Sequence, residues 1–358
     1  MTMRHAAAIA LMALALLTTG ACVPRDAATV DAARTTMEVV KAAQVEGVAF
    51  IDPTRALNEA AGLIPADAVL IVIVDVKLAL DQALSQGFGM APEGWNKGPM
   101  FNDLKNLSIK RFGVDLLQTE WLVFALTDKE EPMVILKGRF DAPERFEAIG
   151  ATGLKGVKVD LDAFLIETGD PSFLALVKGE EGAATVAQVI GGQRGGLRAR
   201  LAGSPMARVL AEVGAGALTI AAEPGDGPLS EELRRDFGLP VIPKAGAVAF
   251  SDDIVIVIEG DALSLRAIEA FVNQKLGEVQ KEMSQELMEI DQRDPFEAGM
   301  TLIAYHYLMG VSKAVAPRIE GDKLRIEYRT IVDADRATAL VGGLFFLGFG
   351  SPFLFFML

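Results

Sequence analysis

The sequence has 358 residues, of which 51% are hydrophobic and 23% charged, so it is long enough for two ordinary domains and apolar enough to bury a core. Its formal net charge of −14 argues against a nucleic-acid partner and against attraction to anionic lipids, because both need lysine and arginine. The single cysteine, Cys22, and only two histidines exclude an internal disulfide and a zinc site built from several such ligands. We expect no metal and no cofactor.

The N-terminus has the layout of a secretory export signal. Arg4 precedes an apolar run at 6–17, which is too short to cross a membrane as a helix, and small residues follow it up to Cys22. The sequence therefore predicts a signal peptide at 1–21 that is removed on export.

The segment LTTGAC at 17–22 resembles the lipobox of bacterial lipoproteins, although Thr19 stands where that family usually has Leu, Val or Ile. The resemblance implies a palmitate-type lipid on Cys22. It also implies a membrane-anchored protein of the bacterial cell envelope, with its body in the periplasm or at the cell surface. The alternative is ordinary cleavage after Ala21, which would release a soluble periplasmic protein.

Residues 22–62 are rich in alanine and mixed in polarity, with predicted helices at 27–44 and 54–61. We interpret this segment as a lipidated stalk between the anchor and the first domain.

The first half of the body begins with a continuous β-branched run at 68–76, which is typical of a strand buried on both faces. Asp141 carries the signature of a helix start, with Glu144 as its capping-box partner. The remaining predicted elements are a helix at 101–109, strands at 121–126 and 133–140, and a hairpin at 164–177.

The second half repeats this order, with a strand at 217–221, a strand pair at 247–250 and 254–258, and a hairpin at 317–331. The sequence therefore predicts an α+β fold of two tandem similar modules, 63–200 and 201–336, each a mainly antiparallel sheet with helices packed on one face. The glycine-rich segment 191–196 is interpreted as a flexible linker. This order loosely resembles uncharacterised duplicated α+β domains of bacterial envelope proteins, and the resemblance implies no activity.

A long amphipathic helix is predicted at 261–291. Its apolar residues recur every three or four positions and form one nearly straight stripe: Leu265, Ile268, Val272, Leu276, Val279, Met283, Leu287 and Ile290. Either the whole stripe packs on the sheet of its own module, or its far end at Met283, Leu287 and Ile290 extends past the sheet and contacts a partner. Trp95, in a turn-rich loop at 92–99, is a further candidate partner contact.

The C-terminal tail at 337–358 has no charged side chain over 22 residues. As a helix it would be about 33 Å long, enough to cross a bilayer, so it is a candidate transmembrane helix. The alternative is that it packs on the body or on a second copy of the chain.

Sequence motifs for catalysis are missing. There is no Walker A segment and no GxGxxG after a strand, and no pair stands out among the 48 acidic residues. We predict no catalytic residue and a non-enzymatic binding or scaffold module for another envelope protein. The alternative is a periplasmic carrier or sensor of an apolar, lipid-like ligand, suggested by the mean hydropathy of +0.32.

Overall fold

The computed structural model describes residues 50–77, 99–140, 146–160, 162–250, 253–288, 315 and 317–329. In these residues the protein is α+β, with one 12-stranded antiparallel sheet and seven α-helices. The strands are β1 Ala68–Asp75, β2 Thr119–Thr127, β3 Pro132–Gly138, β4 Glu147–Ala148, β5 Lys155–Asp160, β6 Ala163–Glu167, β7 Phe173–Lys178, β8 Leu218–Ala222, β9 Ala245–Phe250, β10 Asp253–Glu259, β11 Arg318–Glu320 and β12 Lys323–Arg329. The helices are α1 Pro53–Ala60, α2 Pro99–Phe112, α3 Gly179–Ile190, α4 Leu197–Leu201, α5 Pro205–Val213, α6 Pro228–Phe237 and α7 Ala262–Met288.

The two halves of the chain share this sheet. Its strand order is β11-β12-β10-β9-β8-β1-β2-β3-β7-β6-β5-β4, and β1 pairs with β8 at the middle, with Val72 opposite Ile220. We call the β1–β8 pair the seam. On each side of the seam the chain adds a hairpin and then two more strands, β2–β3 with β7–β6 on one side and β9–β10 with β12–β11 on the other, and β5 and β4 extend the first side further.

Every residue of β1 is buried, because the strand is apolar up to its last residue, Asp75, and both faces of the sheet are covered. Ile71 and Ile73 point into the core of one face, whereas Leu70 and Val72 point into the core of the other. Helices therefore pack on both faces, and the prediction of helices on one face only was wrong. A strand with a second apolar side needs a second covering layer.

The core of the first face lies under α1, α3, α4 and α5. Its helical side chains include Leu57, Val186, Leu197 and Leu210, all buried, and they pack on residues of both halves of the sheet. The second face has two clusters. Phe112 of α2 and Leu229 of α6 belong to the larger one, and Leu265 and Ile268 of α7 belong to a smaller one at the β10–β12 end. Half-buried Ile256 packs against both clusters on this second face.

Helix α1 belongs to the folded body, although its residues fall in the predicted stalk at 22–62. Asp52 caps it by accepting a hydrogen bond from the Thr54 backbone N–H at 2.9 Å, and Pro53 occupies its first turn. Ala56, Leu57 and Ala60 are at most 2% exposed and lie in the first-face core. The part of the stalk before residue 50 lies outside the described residues.

The glycine-rich segment 191–196 is ordered and does not act as a flexible linker. The N–H of Ala66 donates to the Gly195 carbonyl at 2.9 Å, and the N–H of Leu197 donates to the Ile64 carbonyl at 2.7 Å. The segment therefore runs beside the start of β1, held by main-chain hydrogen bonds that no side-chain pattern encodes.

The predicted strands and hairpins all occur in the 12-stranded sheet, which also contains two strands that were not predicted, β4 and β5. Glu147 and Ala148 form β4, whereas the predicted helix start at Asp141 lies outside the described residues. Gly156 of β5 lies opposite Glu147, and a glycine-containing, lysine-rich strand of this kind has a weak sequence signal.

Candidate functional site

The long helix α7 begins at a well-formed cap. Asp261 accepts hydrogen bonds from the backbone N–H groups of Leu263 and Ser264, each at 3.0 Å, and from the Ser264 hydroxyl at 2.6 Å. These bonds, the hydroxyl bond above all, stabilise the carboxylate and lower the pKa of Asp261. The sequence therefore specifies where this helix starts.

Among the stripe residues whose side chains the structure describes, the first ones pack on the sheet. Leu265 and Ile268 are 0% and 2% exposed, and they pack on Leu324 and Ile326 of β12. Val272 is half-buried at the margin of the same cluster. The helix then continues through residues 273–288, which adds about 24 Å.

Past Val272 the described side chains of α7 are exposed or half-buried. Lys275 and Gln274 both contact Glu278, at 2.7 Å each, and these contacts lower the pKa of that carboxyl. Gly277 lies in the same stretch, and a Cβ built there would meet no atom within 4 Å. A glycine inside an exposed helix costs about 1 kcal/mol relative to alanine, so the sequence tolerates a weaker helix here.

The predicted contact residues fall partly outside the described structure. Met283 and Leu287 lie within α7, about 16 and 22 Å beyond Val272 along the helix axis. Cys22, Trp95 and Ile290 lie outside the described residues, as does the tail at 337–358. The structure therefore places two of the predicted contacts on one helix.

An arginine-rich segment at 194–208, which the sequence analysis missed, lies at the seam. Arg194 pairs with Asp67 at 2.6 Å, just before β1. Arg200 donates to the carbonyl of Ala66 at 2.7 Å and pairs with Glu223, just after β8, at 3.2 Å. Its guanidinium therefore connects the two halves. The sequence feature that could have indicated this role is the set of arginines at 194–208 with no acidic residue among them.

Arg208 of α5 forms a bidentate pair with Glu259 at the end of β10. Its Nε and Nη2 atoms donate to the two carboxylate oxygens at 2.9 and 2.5 Å, and Glu259 is only 2% exposed. The hydrogen bonds to Glu259 raise the pKa of Arg208. Lys323 of β12 pairs with Glu212 one turn further along α5, and this pair raises the pKa of Lys323. These two pairs lock α5 onto the sheet.

The first half has a related cluster at the end of β3. The Lys137 ammonium donates to the Ser172 hydroxyl at 2.7 Å, lies 4.1 Å from the centre of the Phe173 ring and is 4.0 Å from Glu59 of α1. Ser172 in turn donates to Asp170 at 2.6 Å, which lowers the pKa of that carboxyl. These contacts fix the β6–β7 turn and hold it against α1.

The described residues contain no group of three or more His, Cys, Asp or Glu side chains placed to hold a metal ion. Within the same ranges, no helix combines the length and the apolar character needed to cross a membrane. None of the described side chains of α7 past Val272 belongs to the buried clusters of the sheet.

Comparison with known proteins shows no family for this chain. No family model matches the sequence, and no curated protein matches it. Among solved structures, crystal form I of TP0453 is similar with a TM-score of 0.36 and 12% sequence identity, over 79% of this chain and 96% of that chain. This similarity is too weak to carry an argument about function.

Proposed function

We propose that the protein is a lipid-anchored protein of the bacterial cell envelope whose body is a non-enzymatic binding or scaffold module for another envelope protein. The observation that carries the proposal is that Val272 is the last described side chain of α7 that packs on the sheet, whereas the helix continues to Met288. A surface helix that extends about 24 Å past its support presents one face to a partner.

The anchor is proposed from the sequence. A lipid on Cys22 would tether the N-terminus, and the uncharged tail at 337–358 offers a second route to the same membrane. The formal charge of −14 supports apolar or covalent attachment over attraction to anionic lipid.

We also propose that the body consists of two duplicated modules, 63–200 and 201–336, joined edge to edge at the seam. The five strands nearest the seam follow the same order in both halves, β1-β2-β3-β7-β6 and β8-β9-β10-β12-β11, which supports the duplication, whereas β5 and β4 have no counterpart among the described residues. Helices α1 and α5 both start with a capping side chain followed by proline. Each helix also pairs with a charged residue near the end of the third strand from the seam in its own half: Glu59 of α1 with Lys137 of β3, and Arg208 of α5 with Glu259 of β10.

The binding surface is tested by site-specific photo-cross-linking in intact cells. A photoreactive residue is placed at Lys281 or Gln285, both exposed on α7, and as a matched control at Glu181, exposed on α3 of the opposite face. We expect an adduct of one discrete mass from the α7 positions and none from Glu181. The same adduct from all three positions, or no adduct from α7, would contradict the proposal. If the α7 positions give no adduct and the purified protein binds a fluorescent fatty acid saturably, the carrier alternative is favoured.

The anchor is tested by membrane fractionation with metabolic palmitate labelling. Wild type, Cys22→Ala, a variant lacking 337–358, and the double variant are compared. We expect label on wild type and loss of label in Cys22→Ala, with release from the membrane in the double variant. If the double variant still sediments with the membrane, both proposed anchors are wrong.

A further inference from the structure

We draw no further inference here: the strongest candidate, the part of helix α7 beyond Val272 with its interior glycine Gly277, belongs to the binding surface already described, and nothing in the structure shows what covers it.

Discussion

Thr219 occupies a central position in the sheet, on β8 at the seam, between Ile73 of β1 and Ala249 of β9. Its side chain is 1% exposed, and its hydroxyl has no hydrogen-bond partner among the described residues. A buried hydroxyl without a partner loses its hydrogen bonds to water and gains none in return. The residue therefore weakens the fold at the point where the two halves meet.

Replacing Thr219 by the isosteric valine should stabilise the protein. We expect Thr219→Val to raise the free energy of unfolding by about 1 kcal/mol, because it removes the unpartnered hydroxyl and keeps the shape. Urea denaturation followed by circular dichroism measures the change.

The matched control is Thr127→Val, because Thr127 is equally buried and its hydroxyl accepts a hydrogen bond from the Glu131 N–H at 3.1 Å. That substitution should lower the unfolding free energy, since the Glu131 N–H loses its bond to the hydroxyl. Destabilisation by both substitutions would show that the Thr219 hydroxyl is satisfied.

Among the helices, α7 has an apolar stripe in its sequence that is longer than the part described as packing on the sheet. The apolar stripe continues at the same spacing well past Val272, but Val272 is the last of its described side chains that packs on β10, β12 and β11. Local sequence sets the period of a helix, whereas the width of the sheet under it sets how much of the stripe is buried.

Two leucine-to-alanine substitutions on α7 should lower the free energy of unfolding by different amounts. Leu265→Ala removes a side chain that is 0% exposed, and we expect a loss of about 3 kcal/mol in unfolding free energy. Leu276→Ala removes a half-buried side chain outside the cluster, and we expect a loss below about 1 kcal/mol.

Both variants have the same change in helix propensity, so the comparison isolates burial. Chemical denaturation of the purified protein provides the measurement. Equal losses would mean that the body itself covers the stripe at Leu276, and the proposed binding surface would then be wrong.

On the scale of the whole molecule, the seam makes one folding unit of the two halves. The first-face core contains Ile71 from the first half and Leu210 from the second, and α1 packs beside α5 above the seam. Arg200 adds a polar connection between the start of β1 and the end of β8. A shared core predicts cooperative unfolding.

A truncation in the second half should therefore unfold the first half as well. We expect Leu210→Ala to cost about 3 kcal/mol, since Leu210 is 1% exposed, and to shift the unfolding midpoint seen by Trp121 fluorescence as much as that seen by circular dichroism. Both proteins carry Trp95→Phe, so that Trp121 is the single tryptophan and the fluorescence reports on the first half. An unchanged Trp121 midpoint would show two independent units.

The sequence alone determined the α+β class, most strands and the start of α7. Runs of β-branched residues and turn formers mark strands locally, and the Asp261 cap with its apolar period marks a helix locally. By contrast, β4 and β5 were missed because short polar strands with glycine have no such local signal.

Only the tertiary structure decided that β1 and β8 pair, that helices cover both faces and that residues 191–196 are held against β1. Each of these depends on contacts between residues far apart in the chain, which a local pattern does not specify. The same holds for the candidate site: the sequence of α7 determines its apolar period, but its contacts with β12 determine which of its described side chains are buried.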